Sequence, residues 1–596
     1  MSNQTNIIKK DVKKFSSPPN LLDYDKTYKS FSWEKAEKEE INFFEDGTLN
    51  IAYNCIDRHA KGAKKNKAAL LFEGAQGEKE EYTFAQLKEL TDKFANVLAS
   101  QEVQKGDRVF LFLPPTPERY VAFLGILKIG AIAGTMFSAF QEMALLDRLS
   151  DSEAKVVITN AVLFPRIEKI WKDLPYLEKV IIVERGSVEQ PQDERIVYYE
   201  KEMVKAGTHF EIAHMQKDDY SYMLYTSGTT GKPKGVMHTH YDILQAIVTT
   251  KYVLDLKEDD IYWCTADLGW VTGVVYATLG PWGLGVTQVL FEGRFKPEDW
   301  YSILQDNKVN IWYSAPTAIR LLMGSTVSPK DFNLSSLRHL YSVGEPLNPE
   351  AIWWGLEAFG HAFHDTWWQT ELGGISITNY PVLDIKPGSM GKPLPGIKAA
   401  IVDDSGKELG PGEEGNLALL ASSVSSLMRT IWKNEEKFNS YFKDKWPTSN
   451  ASRSDAGWYI SGDRAVRDHD GYYWFIGRAD DVINTSGERV GPFEVESALV
   501  AYPDVVEAGV IGKPDAVRGE IIKAFVVIKD GVEQTDELKE KLQAHVKKHL
   551  AGHAYPREIE FIDKLPKTRS GKIMRRVLKA KELGLPVGDT STLEDY

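Results

Sequence analysis

Residues 225–240 read YTSGTTGKPKGVMHTH. Six Ser, Thr and Gly residues, Thr226, Ser227, Gly228, Thr229, Thr230 and Gly231, precede two lysines, Lys232 and Lys234, spaced around Pro233. The preceding YSYMLY is strand-like and the following YDILQAIVTT can begin a helix, so a small-residue loop between strand and helix is expected. Such a loop exposes backbone N–H groups and hydroxyls, which is how proteins wrap polyphosphates. The pattern G-x-x-x-x-G-K-[ST] cannot be fitted to it, so it is not a Walker A loop. Read alone, the stretch is either a flexible surface loop or a non-Walker grip on a nucleoside triphosphate.

Around it, from about residue 66 to 345, apolar runs alternate with helix-period stretches: RVFLFLP, AKVVITN, KVIIVE, IYWCTA, NIWYSA and HLYSVGE. This alternation argues for parallel sheets covered by helices. The run YVAFLGILKIGAIAGTMFSAF, residues 120 to 140, is the strongest membrane candidate, but Lys128 interrupts it and its glycines suit α/β core. From about 388 to 478 the texture changes to hairpins, with turns at DDSG and HDG. A last unit starts near 480, where EAGVIGK and KAFVVIK precede a helix capped by Thr535. The polar insert WPTSNASRSDAGW, residues 446 to 458, reads as a surface loop. The expected fold is α/β: a polar, extended N-terminal arm (1–50), a large domain of helix-covered sheets with a β-rich subdomain (51–479), and a small α+β C-terminal domain (480–596).

Composition narrows the function classes. A chain of 596 residues with 43% hydrophobic and 26% charged residues is ordinary for a soluble multidomain enzyme. Its net charge of −13 offers no basic field for nucleic acid or an anionic membrane. Two cysteines, Cys55 and Cys264, make neither a disulfide scaffold nor a thiolate metal site. The N-terminus MSNQTNIIKKDVKKF lacks an apolar signal core, and a cytoplasmic location is expected.

Three further clusters can carry chemistry. In HDTWWQTELGG (364–374), Thr370 offers a hydroxyl to a phosphate, and Glu371 offers a carboxylate to a divalent ion shared with substrate phosphates. Alone, that pair carries nothing. In residues 458–491, Asp463 follows a strand and can accept from a vicinal diol such as a ribose. Arg478 and Arg489 are fork donors suited to phosphate and ribose oxygens, and Asp480 sits at a plausible hinge. In LPKTRSGKIMRR (565–576), Pro566 and Gly571 can present Lys572 from a turn to a phosphoryl centre. A charge run of this kind is otherwise a solvated face.

Together and in this order, the four clusters resemble the adenylate-forming superfamily of acyl-CoA synthetases, adenylation domains and luciferases. The fit is closest to the AMP-forming acetyl-CoA synthetases of the shorter bacterial type, through CTADLGWVTG, VGEPLNP, DTWWQTE, TSGERVGPFEVESALV and LPKTRSGKIMRR. The resemblance implies ATP and CoA as co-substrates, Mg2+ held by Glu371, and acetate as the acid. It places Gly344, Glu345 and Pro346 at adenine, with Asp365, Thr366, Trp367, Trp368 and Gln369 as the other wall and Thr370 at the α-phosphate. Asp463 and Arg478 would hold the ribose, Arg489 would reach the phosphate, and Lys572 would be the catalytic lysine of adenylation. Trp270, Val271, Thr272, Val343 and Trp368 would form the acyl pocket, the Trp368 indole leaving room for a methyl group and little more. Ser486, Gly487 and Thr272 would line the route of the CoA thiol.

Two departures stand out: no basic patch for the 3′-phosphate of CoA can be placed, and Lys547 stands where an arginine is expected. The implied chemistry is two half-reactions, acyl-adenylate then thioester, with rotation of a mobile C-terminal domain about Asp480 between them. A lysine acetyltransferase and deacetylase acting on Lys572 are possible partners. A propionate or other short-chain acyl-CoA synthetase is the alternative, and a catalytically inactive nucleotide-binding regulator the remote one.

Overall fold

The computed structural model describes residues 7–185, 193–226, 233–443, 457–485, 488–515, 517–550, 554–568, 571–587, 590 and 593. Among these, the large N-terminal part holds an eight-stranded and a nine-stranded sheet and, beyond them, a four-stranded antiparallel one. All six apolar runs singled out in the sequence are strands of the two large sheets: Arg108–Phe112, Val156–Asn160, Lys179–Val183, Ile261–Cys264, Ile311–Ser314 and His339–Ser342. Their neighbours within each sheet run parallel, and both faces are covered, which is why they read as unbroken hydrophobic runs. The suspected membrane stretch is the helix Pro117–Lys128 followed by the strand Ile132–Thr135. Lys128 is fully buried there between Asp92 at 2.5 Å and Asp57 at 2.9 Å. No helix among the described residues is long and apolar enough to cross a membrane.

One expectation is corrected. The stretch 227–232 instead falls between two antiparallel strands, Tyr220–Thr226 and Lys234–Thr239, with Thr226 opposite Lys234. The helix Ile243–Tyr252 begins only after the second strand. Val236 to Thr239 are buried between Tyr220–Thr226 and the short strand Thr430–Ile431, so tertiary pairing makes a strand of residues read as loop between strand and helix. The N-terminal residues are not simply extended either. Helices Tyr24–Ser30 and Trp33–Glu40 pack on the large unit, with Tyr24 bonding Pro393 O at 2.8 Å and Trp33 Nε1 bonding Ser423 O at 2.9 Å.

The hairpin texture is the antiparallel sheet of Ala399–Val402, Glu414–Leu420, Trp458–Arg467 and Tyr473–Arg478. The insert between its middle strands lies outside the described residues up to 456. The C-terminal unit has its own sheet, led by Val505–Asp515 and Gly519–Ile528. Its helix Asp536–His549 is capped as expected, Thr535 accepting from Leu538 N. Val495, Leu499, Val510, Val526 and Leu542 form a core that residues of the large unit do not enter.

Candidate active site

Three neighbouring parallel strands, Ile311–Ser314, His339–Ser342 and Phe363–Trp367, end along one edge of the nine-stranded sheet. Ligands of open α/β sheets bind beyond such carboxyl ends. The first strand leads into the helix Pro316–Met323, the second into Gly344-Glu345-Pro346, and the third into Trp368-Gln369-Thr370. The antiparallel sheet adds Asp463 and Arg478, which face each other across paired strands. The C-terminal unit adds Lys572. Between them lies a cleft that is partly open to solvent. Gly344, Glu345, Pro346, Asp365, Thr366, Trp367, Trp368, Gln369, Asp463, Arg478 and Lys572, all singled out from sequence, line it.

Asp463 is the hub of one wall. It accepts from Trp367 Nε1 at 3.0 Å, Gln369 Nε2 at 3.1 Å and Arg478 at 3.0 Å. Burial pushes its carboxyl above the usual carboxylate range, against the pull of Arg478 and Trp367. Burial likewise pushes the Asp365 carboxyl up to about 8, with Glu345 adding to the rise. Lys572 reaches solvent through the open side of the cleft. The surrounding protein still strips water from its ammonium and, with Arg478 opposing it, lowers its pKa; Asp463 acts the other way.

Glu371 lies just beyond. Burial alone would raise its pKa, but Lys234 at 2.8 Å outweighs that and holds the carboxyl below its ordinary value. Tyr441 donates to the same oxygen at 3.0 Å. No group of three or more His, Cys, Asp or Glu side chains that could cage a metal occurs among the described residues. Glu371 could give a hard divalent ion one carboxylate, the remaining ligands coming from phosphates and water. Thr226, at the base of the loop, keeps a buried hydroxyl without a partner among the described residues.

Trp368 packs edge-on against Tyr276, ring centres 5.1 Å apart. Val271, Val343 and Trp368 meet the same core cluster, Thr272 is buried on the short helix Val271–Val274, and Trp270 leans on Phe137 at 4.6 Å. Arg489 and Lys547 are not brought to the cleft. Arg489 is exposed on the strand Glu488–Val490, and Lys547 is exposed with its ammonium over the Tyr555 ring. Asp480 is exposed in the turn between the two units, 3.5 Å from Arg478. Ser227, Gly228, Thr229, Thr230, Gly231, Lys232, Ser486 and Gly487 lie outside the described residues.

Several participants escaped sequence reasoning. His238 bonds the Thr370 carbonyl at 2.8 Å and Asp242 at 2.5 Å, pinning the segment that carries Glu371. The signal was present in HTHYD, inside and just beyond the opening motif. Tyr441 and Tyr459 stack at 5.7 Å and reach Glu371 and Gln369. Arg320, Asn348, Glu496, Glu507 and Arg575 also line the cleft, brought there by packing that no local pattern announces.

The chain belongs to the AMP-binding enzyme family: the family model matches residues 56–432, and that of the AMP-binding enzyme C-terminal domain matches residues 494–572. Over 578 residues it is 54% identical to the acetyl-coenzyme A synthetase of Bacillus subtilis, covering 97% of this chain and 98% of that one. It is 42% identical over 571 residues to the acetyl-coenzyme A synthetase of Methanothrix thermoacetophila, covering 92% and 86%. Among solved structures it resembles an anthranilate CoA ligase, AuaEII, in complex with anthranoyl-AMP. There the TM-score is 0.81 with 32% identity, covering 90% of this chain and 98% of that one.

Proposed function

We propose that this chain is an AMP-forming acetate–CoA ligase. The observation that carries the reading is the convergence of Glu345, Asp463 and Lys572, from three separate parts of the chain, on one cleft. Acetate oxygen attacks the α-phosphorus of ATP, the bond to the β-phosphate oxygen breaks, and acetyl-AMP and diphosphate form. The CoA sulfur then attacks the acetyl carbonyl, its proton is lost, and AMP leaves. Gly344 to Pro346 and Asp365 to Gln369 bracket the adenine, Asp463 and Arg478 take the ribose hydroxyls, and residues 226–234, Lys234 among them, hold the leaving diphosphate. Thr370 would meet the α-phosphate, and Lys572 neutralises charge that develops there. Glu371 would hold a Mg2+ shared with the phosphates, which supplies further neutralisation when bound.

Trp368 closes the acyl pocket with Trp270, Val271, Thr272 and Val343. A filled pocket resists an added methylene by about 1–3 kcal/mol, so propionate is a poor substrate. The present arrangement, with Lys572 in the cleft and Arg489 outside, is the one adenylation needs. Rotation of the C-terminal domain, residues 480–596, about Asp480 would bring Ser486, Gly487 and Arg489 in for the thiol, with Lys547 towards the CoA nucleotide. Acetylation of the solvent-reached Lys572 by a lysine acetyltransferase, reversed by a deacetylase, would remove its charge. Two free, buried cysteines agree with a cytoplasmic enzyme. The test is ATP–diphosphate exchange with a panel of short acids. Dependence on acetate supports the reading, and a preference for propionate or no exchange with any acid would overturn it.

A further inference from the structure

Thr317 and Arg320 lie one turn apart on the helix Pro316–Met323, at the seam between the two units. The Thr317 hydroxyl stands 2.8 Å from the backbone oxygen of Gly571 and 2.6 Å from Glu345 Oε1. Gly571 has φ +89°, and a Cβ added there would fall 2.3 Å from Thr317 Cβ. Only a glycine lets the segment carrying Lys572 come this close. Arg320 donates to Glu345 Oε1 at 2.9 Å and to Thr317 Oγ1 at 3.0 Å, while its Nε lies 3.9 Å from Glu507 Oε1 in the C-terminal unit. Glu507 is gripped in turn by Lys567 at 2.5 Å. All four charged side chains are nearly buried.

The pairing is arranged in an unusual way. Glu345–Arg320 neutralises itself within the large unit and Glu507–Lys567 within the small one, so separating the units strands no unpaired charge. Of the polar contacts at this seam, the longer Arg320–Glu507 contact, the Thr317–Gly571 bond and the 2.9 Å bond from Asn348 to Ser497 are lost. A seam of this kind favours the docked pose without locking it.

We infer that Arg320, with Thr317, is a positioning residue for adenylation, joining Glu345 in the nucleotide cleft to Glu507 and Gly571 so that Lys572 is held in place. The inference rests on the adenylation reading above. It is tested by comparing Arg320→Met, Glu507→Gln and the unaltered protein in two separate assays. One is acetate-dependent ATP–diphosphate exchange, and the other is thioester formation from supplied acetyl-AMP and CoA. In Arg320→Met, exchange is expected to fall about 5- to 150-fold, the usual span of coupling between sites. Glu507→Gln falls in the same direction by less, and thioester formation holds or rises in both. Equal loss in both assays, no loss in either, or a loss in Arg320→Met that saturating ATP repairs while Glu507→Gln is silent would overturn it. An unaltered protein without acetate-dependent exchange would overturn the adenylation reading, and this inference with it.

Discussion

Lys234 Nζ stands 2.8 Å from Glu371 Oε1, and this ion pair ties the eight-stranded sheet to the loop that leaves the nine-stranded one. Tyr441 bonds the same carboxylate oxygen and carries the Lys234 ammonium 4.5 Å above its ring. The two side chains expose 13% and 11% of their area, so each charge depends on the other. Removing one partner of such a pair leaves a charge without compensation. Lys234→Met should therefore lower the unfolding free energy by up to about 3 kcal/mol. Adding Glu371→Gln should recover much of that. Strictly additive losses in denaturant titrations of the two single variants and the double variant would mean the pair is not coupled.

Lys572 belongs to the C-terminal unit, yet it lines a cleft whose other walls belong to the large one. In the proposed scheme its charge matters only to the adenylating step. Lys572→Ala should slow acetate-dependent exchange about 10²- to 10³-fold, the loss seen when one preorganised donor is removed. Thioester formation from supplied acetyl-AMP should persist. A variant that adenylates at the normal rate would refute the role.

Trp368 holds its place through Tyr276, edge to face at 5.1 Å. Replacing the indole with hydrogen opens the acyl pocket by the volume of the whole side chain. Trp368→Gly should move the preferred acid from acetate towards longer chains, and kcat/KM ratios for acetate, propionate and butyrate measure it. Each methylene is worth about 10- to 200-fold in discrimination. An unchanged preference would remove Trp368 from the pocket.

What was legible in the sequence and what was not divides along physical lines. Strands buried on both faces, such as Val156–Asn160 and Ile311–Ser314, announce themselves as apolar runs because nothing polar is tolerated there. Asp463 was legible as a carboxylate following a strand, whereas the pair Thr370–Glu371 carried nothing alone and drew its meaning from the order of the four clusters. The strand Lys234–Thr239 was missed because its identity is set by pairing on both sides, with 220–226 just before it and with 430–431 far away in sequence. Arg320 and Glu507 were invisible in the same way, since 187 positions separate residues whose charges lie 3.9 Å apart. Gly571 was legible as a turn, but its close approach to Thr317 was not.

Asp365 makes a prediction about pH. Its carboxyl is buried in the middle of the strand Phe363–Trp367, accepts from Thr366 N at 3.1 Å and Leu347 N at 3.4 Å, and faces the charge of Glu345. Burial first, and Glu345 after it, push the carboxyl up to about 8. The folded chain thus keeps a proton that the unfolded chain has lost throughout the interval from about pH 4 to about pH 8. With more protons bound in the folded state, stability falls as pH rises. The contribution is complete below about pH 4 and is lost as pH passes through the folded value, at up to about 1.4 kcal/mol per pH unit. Asp365→Asn keeps the shape and removes the titration, so the variant should gain on the parent steadily between about pH 5 and 8 in denaturant midpoints. Glu345→Gln should shrink that drift, because it removes the charge that adds to the rise. Parallel curves for parent and Asp365→Asn across the interval would mean that Asp365 ionises in the folded chain as it does in the unfolded one.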